Sequence, residues 1–416
     1  MPEPFTGAFL AALFLTTLLR LWLARRQMAH VIARRDRVPP QFADRVDFAT
    51  HTKAADYTVA KTRLGIVAIG IDVAATLVLT IGGGLQWLGA TLAGWSSGLA
   101  HGVLLLAAMF VVLGIIDLPL AVYRQFVVEE RFGFNRMTPA LFVSDLVKQA
   151  AISAAIGLPA LYFALWLMAS MGEAWWLWVW AFWAAFNVLM IWVYPTWIAP
   201  LFNKFSPLAD GDLKARIEAL LQRCGFQSNG LFVMDGSRRS AHGNAYFTGF
   251  GRNKRIVFFD TLIERLTPGE VEAVLAHELG HFKRRHIIKR ISFSFLVALL
   301  FLWLLAQAMQ APWFFSGLGV DAGGTAVALA LFFLVVPAFV FPLTPIGSAL
   351  SRRHEFEADQ YACENTSASD LARALVKLYA DNAATLTPDP WHSRFYDSHP
   401  PAAERVARLD AWPTGG

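Results

Sequence analysis

Charged residues are spaced along this chain in a way that predicts its main elements. Four stretches, 149–172, 174–203, 291–320 and 322–351, run 24 to 30 residues without Asp, Glu, Lys or Arg. A fifth, 73–116, is uncharged for 44 residues and contains Gly82-Gly83-Gly84, so it reads as two spans joined by a short turn. A helix needs about 20 apolar residues to cross a bilayer. The first of those two spans begins near Leu64 and carries Asp72. A further apolar run, 5–24, has Arg20 near its end. The pattern predicts seven membrane helices, at 5–24, 64–86, 101–123, 149–171, 175–198, 291–312 and 324–350. A signal peptide is the alternative for the first. However, no basic residue precedes it and Arg25-Arg26 follow it, the reverse of a signal's charge order.

The loops set the orientation. Segments 25–63, 124–148, 199–290 and 351–416 hold 35 of the 36 Lys and Arg residues, Arg20 being the other. Segments 1–4, 87–100, 172–174 and 313–323 hold none. The positive-inside rule puts the N-terminus outside and the C-terminus in the cytosol. Trp87, Trp95, Trp175, Trp176 and Trp313 gather at the outer ends, as an interfacial belt does. Composition agrees: 56% of residues are hydrophobic and 16% charged, against about 45–50% and about 25% in soluble domains. That excludes disorder. Two cysteines exclude a disulfide scaffold and a four-thiolate zinc site. The net charge of +5 is a topology signal and does not suggest nucleic acid. The expected organisation is spans one to five with their loops over 1–202, a catalytic segment over 203–290, spans six and seven over 291–350, and a second catalytic segment over 351–416. The two soluble segments are each short, so they are expected to pack as one small α+β domain.

One motif carries chemistry. His277-Glu278-Leu279-Gly280-His281 is an HExxH sequence. Thr267-Pro268-Gly269-Glu270 ahead of it reads as a capped helix start, with Thr at N-cap, Pro at N1 and Glu at N3. His277 and His281 then lie one turn apart on one helix face, where both imidazoles reach one Zn2+, and Glu278 stands beside them as a base. Two satisfied helix histidines are the bland alternative. A catalytic zinc site needs a third protein ligand. The extended HExxHxxGxxH form is absent, since Arg284 takes the glycine position. His286 lies about 140° around a continued helix from His281, so it is expected to point away from the metal, either backing a ligand or lying on the surface. The third ligand is sought in Arg353-His354-Glu355-Phe356-Glu357-Ala358-Asp359, just past the last span. On a helix, Glu355 and Asp359 share a face. Glu355 then ligates and Asp359 accepts the Nδ1–H of a ligating histidine. A solvated acidic turn is the alternative.

HELGH followed, after a membrane stretch, by an ExxxD helix resembles the integral-membrane zinc proteases of gluzincin type that include the type I CAAX prenyl endopeptidases. The resemblance extends to Asp235-Gly236-Ser237-Arg238-Arg239-Ser240, Asn244-Ala245-Tyr246-Phe247, and Asn253-Lys254-Arg255-Ile256-Val257-Phe258-Phe259-Asp260. It also includes the early loop Phe126-Val127-Val128-Glu129-Glu130-Arg131-Phe132-Gly133-Phe134-Asn135 and, near the end, His399-Pro400 with Arg405. It implies a mainly helical fold in which seven membrane helices enclose a water-filled chamber, with a zincin-type catalytic domain on the cytosolic face and one zinc per chain. It implies that His399 stabilises an oxyanion, that Arg405 does likewise or orients His399, and that Asn244 and Ala245 contact the substrate backbone.

The remaining features are read physically. Segments 244–250 and 255–260, rich in aromatic and β-branched residues and separated by Gly251-Arg252-Asn253-Lys254, form a hairpin signal. Its edge strand suits an extended peptide. Arg20, Asp72, Asp117 and Glu173 lie in or near spans, where ionisable groups face a watery interior or snorkel to the surface. The basic residues 251–255 and 283–285 read as contacts to anionic lipid. The expected partners are therefore a peptide or protein substrate, prenylated or not, and the bilayer. The membrane is a bacterial inner membrane, or that of the endoplasmic reticulum in a eukaryote. The rival readings are a quality-control protease of the same mechanism and a seven-span transporter or receptor with a structural HExxH helix.

Overall fold

The computed structural model describes residues 4–248, 255–321 and 323–413. Among these, seven helices are long and apolar enough to cross a bilayer: Pro4–Ile32, Phe48–Leu79, Gly98–Glu129, Pro139–Ser170, Gly172–Phe202, His286–Ala308 and Thr325–Asn365. Large apolar side chains such as Phe14, Leu15, Val111, Leu296 and Ile346 stay exposed along them, which suits contact with lipid. Phe9, Leu105, Leu106, Met109 and Leu305 form the packed interior.

Every predicted span overlaps one of these helices, but the helices run further on the cation-rich side. The second begins at Phe48, where Asp47 caps it by accepting the Thr50 N–H at 2.8 Å. The fourth begins at Pro139, with Thr138 as N-cap. Charge gaps report only the part of a helix that lipid surrounds, and its polar continuation into water leaves no gap. The predicted second span is also too long at its end. Its helix stops at Leu79, Gly83 turns at a φ of 72°, and Gly84–Leu92 is a separate short helix.

The soluble part holds a four-stranded sheet: β1 (Phe205–Pro207), β2 (Leu231–Met234), β3 (Ala245–Thr248) and β4 (Arg255–Phe259), in the order β1-β2-β4-β3. β2 and β4 are parallel, and the other two pairs are antiparallel. β3 and β4 are the arms of the predicted hairpin, with Ala245 opposite Phe258 and Thr248 opposite Arg255. The rest of the first arm and the connection between the arms (249–254) lie outside the described residues, as does most of the basic run at 251–255. β3 is an edge strand. Phe259 donates its N–H to the Asn244 carbonyl at 2.9 Å, so antiparallel alternation turns the backbone groups of Ala245 and Phe247 outward.

One hydrophobic core draws on both ends of the soluble sequence. Ile217, Leu220, Ile256, Phe258, Val271 and Leu275 pack with Ala362, Leu371, Ala374 and Leu409. The membrane and soluble parts are not separated by a break at 350–351. The helix Thr344–Asn365 runs straight through that point.

Candidate metal centre

The helix Pro268–Lys283 starts with a complete capping box. Glu270 Oε2 accepts the Thr267 N–H at 2.8 Å, and Thr267 Oγ1 accepts the Glu270 N–H at 3.4 Å. Buried Glu270 is held further by Lys377 Nζ at 2.6 Å. Three turns on, Gly280 lets this helix press against Thr344–Asn365. A Cβ there would lie 2.9 Å from the Ala358 Cα and 3.0 Å from its carbonyl oxygen. Only hydrogen fits, and the close approach brings His277, His281 and Glu355 together.

Among the described residues, these three form the one cluster of His, Cys, Asp or Glu whose ligand atoms lie within 4.8 Å of one another. His277 Nε2 is 3.3 Å from His281 Nε2 and 3.4 Å from Glu355 Oε2, and His281 Nε2 is 3.3 Å from Glu355 Oε1. Ligand bonds of about 2.0–2.1 Å in a tetrahedron separate the donor atoms by roughly 3.3–3.4 Å, so the cluster fits Zn2+. Among the described residues, the buried Glu355 Oε2 has no hydrogen-bond partner, which suits an oxygen that faces a metal.

The groups behind the cluster fix its orientation. His277 Nδ1 meets Asp359 Oδ1 at 2.8 Å, and Arg405 grips Asp359 with Nε at 2.9 Å and Nη2 at 2.6 Å. Burial opposes charge on His277, but hydrogen bonds to Asp359 and Glu355 outweigh it and raise its pKa to about 9. Burial lifts the Glu278 carboxyl above its ordinary value; the two histidines oppose that rise and Glu355 adds to it. Buried Arg405 remains charged, since the Asp359 carboxylate outweighs desolvation.

Three comparisons place this chain among known proteins. The family described as "CAAX prenyl protease N-terminal, five membrane helices" matches residues 27–204, and peptidase family M48 matches residues 207–413. CAAX prenyl protease 1 of Saccharomyces cerevisiae is 34% identical over 401 residues, covering 90% of this chain and 88% of the relative. The chain belongs to peptidase family M48. The CAAX prenyl protease 1 homolog of Homo sapiens is 32% identical over 456 residues, covering 97% of this chain and 94% of that protein. The crystal structure of S. mikatae Ste24p superposes with a TM-score of 0.91 at 32% identity, covering 99% of this chain and 100% of that one. This M48 protein is a multi-pass membrane metallopeptidase, and the transporter and receptor readings fall away.

Other expected residues are placed as follows. His399 is largely exposed, with Nε2 3.4 Å from Glu355 Oε2, and it faces a cavity of about 600 Å3 that Lys61, Arg20 and Tyr396 also line. Arg405 lies behind the ligands, with Nη1 3.5 Å from Glu355 Oε2. Its strongest contact is with the Asp359 carboxylate, a buried bidentate partner. Asn244 is exposed at the start of the edge strand, and its Oδ1 accepts the Ala245 N–H at 2.8 Å. Arg20 pairs with Asp72 at 3.2 Å, and both line a second cavity of about 530 Å3 together with Asp117. Glu173 sits apart, exposed in the turn Gly172–Ala174.

Of the two readings for His286, the structure favours a partner of a ligand over a surface residue, although the helix geometry assumed for it does not hold. The HExxH helix ends at Lys283, and Arg285 adopts a left-handed φ of 57°, so a new helix begins at His286 and turns it back to His281. Extrapolating one helix through 286 failed because the helix stops. A second group was not visible in the sequence. Glu129, at the end of the third span, accepts the Tyr57 hydroxyl at 2.7 Å and lies 3.6 Å from His242. His242 stacks on Phe134, and Asn382 accepts the Gly243 N–H at 3.2 Å. Together they brace the segment leading into β3 against the early loop. The signal was the early loop itself, which the sequence marks without naming its partner.

Proposed function

We propose that the chain is a zinc endopeptidase cutting near the C-terminus of prenylated, membrane-anchored proteins. His277, His281 and Glu355 would hold one Zn2+, whose Lewis acidity polarises a scissile carbonyl and acidifies a neighbouring water. Glu278 takes the proton of the attacking water and returns it to the leaving amine. His399, facing the cavity beside Glu355, donates a hydrogen bond to the oxyanion. Asp359 accepts the Nδ1–H of His277, and Arg405 acts through Asp359. The substrate lies extended along the outward edge of β3, beside Asn244 and Ala245.

The observation that carries this reading is the set of three donor side chains on two helices, whose Nε2 atoms lie 3.3 Å apart and each 3.3–3.4 Å from one oxygen of Glu355, with Glu278 adjacent in sequence to His277. Relatives named for prenyl proteolysis support the substrate class. The confinement of nearly all cations to one side supports an outside N-terminus, with the segments 203–290 and 351–416 forming one cytosolic catalytic unit. The test pairs a farnesylated CAAX peptide with its unprenylated twin, using wild type and Glu278→Gln with zinc content measured. The expected result is preferential cleavage of the farnesylated peptide by wild type, and a zinc-loaded but inactive variant. Full activity of Glu278→Gln would sink the mechanism. Equal cleavage of both peptides would favour a broader membrane-protein protease.

A further inference from the structure

His281 Nδ1 lies 3.0 Å from His286 Nδ1, and His286 Nε2 lies 3.0 Å from Glu357 Oε2. The other Glu357 oxygen accepts from Arg353 Nε at 3.0 Å. His286 is almost wholly enclosed, stacked on His354 with ring centroids 4.0 Å apart and planes 12° from parallel. We propose that His286, backed by Glu357, is a positioning residue for the metal ligand His281. This rests on the zinc reading above.

The proton positions follow from the contacts. His281 presents Nε2 to His277 and Glu355, so the proton of the neutral ring sits on Nδ1. A bond between two Nδ1 atoms needs one donor, so His281 donates and His286 accepts. The His286 proton is then on Nε2, where Glu357 accepts it. The opposite assignment would set the His286 Nε2 lone pair against a carboxylate oxygen at the same distance, which is repulsive. Every proton in the chain therefore points away from the centre, toward Glu357. This mirrors the other ligand, whose Nδ1 meets Asp359 directly. One helix thus supplies a ligand, Glu355, and both outlying carboxylates, Glu357 and Asp359. His281 needs the imidazole as a spacer to reach its carboxylate, and the left-handed Arg285 puts that spacer in place. Fixing the ring's tautomer and tilt in advance strengthens metal binding, and losing such a partner typically costs about 10–100-fold in affinity.

The test is zinc affinity of the full chain in detergent, by competition with a chromophoric chelator, alongside the visible spectrum of the cobalt-substituted protein. His286→Phe keeps the ring and its stack on His354 but removes the acceptor. His286→Asn keeps an acceptor near His281. Glu357→Ala acts at a partly exposed site and leaves the ring in place. We expect His286→Phe to weaken zinc binding about 10–100-fold and shift the cobalt bands, His286→Asn to recover most of the affinity, and Glu357→Ala to weaken binding in the same direction. Wild-type affinity in Glu357→Ala would overturn the proposal, and so would an unchanged cobalt spectrum in His286→Phe. Thermal midpoints of the metal-free proteins separate misfolding from lost positioning; if His286→Phe does not fold, Glu357→Ala decides. A wild-type chain that binds no zinc would instead sink the zinc reading itself, before any variant is compared.

Discussion

Asp359 Oδ1 lies 2.8 Å from His277 Nδ1 and 2.6 Å from Arg405 Nη2, so one buried carboxylate oxygen serves an imidazole and a guanidinium together. Removing the guanidinium would leave Asp359 buried with only His277 for a partner. Arg405→Met should therefore cost about 3–5 kcal/mol of stability. Asp359→Asn, which keeps the shape, should mainly weaken metal binding, by about 10–100-fold. Denaturant melts and metal titrations of the two variants check this. A destabilised Asp359→Asn with wild-type metal affinity would contradict it.

Gly280→Ala places a methyl group 2.9 Å from the Ala358 Cα, on backbone that cannot swing aside. Overpacking of this kind costs about 1–3 kcal/mol. Because the strain falls between the helices bearing His281 and Glu355, peptidase activity should drop further than stability alone explains. Comparing kcat with the thermal midpoint distinguishes the two effects.

Glu270 gives a pH dependence. Burial raises its pKa, but the contacts from Lys377 and the Thr267 N–H outweigh burial and hold it below the ordinary 4.5. A carboxyl depressed in the folded state contributes stability above its unfolded pKa and loses it as pH falls through the folded value. The thermal midpoint should therefore decline as pH drops below about 4.5, and Glu270→Gln should have a lower midpoint at pH 7 and a flatter profile in the acid range. An unaltered acid profile in Glu270→Gln would place the dependence elsewhere.

Chelation should abolish peptide cleavage, and stoichiometric zinc should restore it. Zinc should also stabilise the fold, by about 2.7 kcal/mol at a free concentration 100-fold above its Kd. Thermal midpoints across a zinc-buffer series test this. A midpoint insensitive to zinc would mean that the buried Glu355 carboxylate is satisfied some other way.

The sequence carried those features that depend on local order. Charge gaps show lipid-facing helix, and the HExxH and ExxxD spacings show which side chains share a face. Two kinds of feature escaped. The helix lengths on the cation-rich side depend on caps such as Asp47 and Thr138, which add no apolar signal. The surroundings of the site depend on pairings across long separations, as between Arg405 and Asp359 or Glu129 and His242. His286 combines both, since a single left-handed residue upstream reversed its direction. A spacing rule assumes that the helix continues, and that assumption fails silently.

The unbroken helix Thr344–Asn365 fixes the depth of the chemistry. Arg352 is the first charged residue after the last apolar stretch, and Glu355 follows three residues later. At about 1.5 Å of rise per residue, the carboxylate stands roughly 5 Å beyond that boundary. Under the proposed function, the reaction would then take place near the height of the lipid headgroups. A substrate held in the bilayer by an anchor, as that proposal has it, would already be at that height and would find the enzyme by moving in the plane of the membrane. What governs the encounter rate is then the number of substrates per unit area, set by the membrane that both partners share.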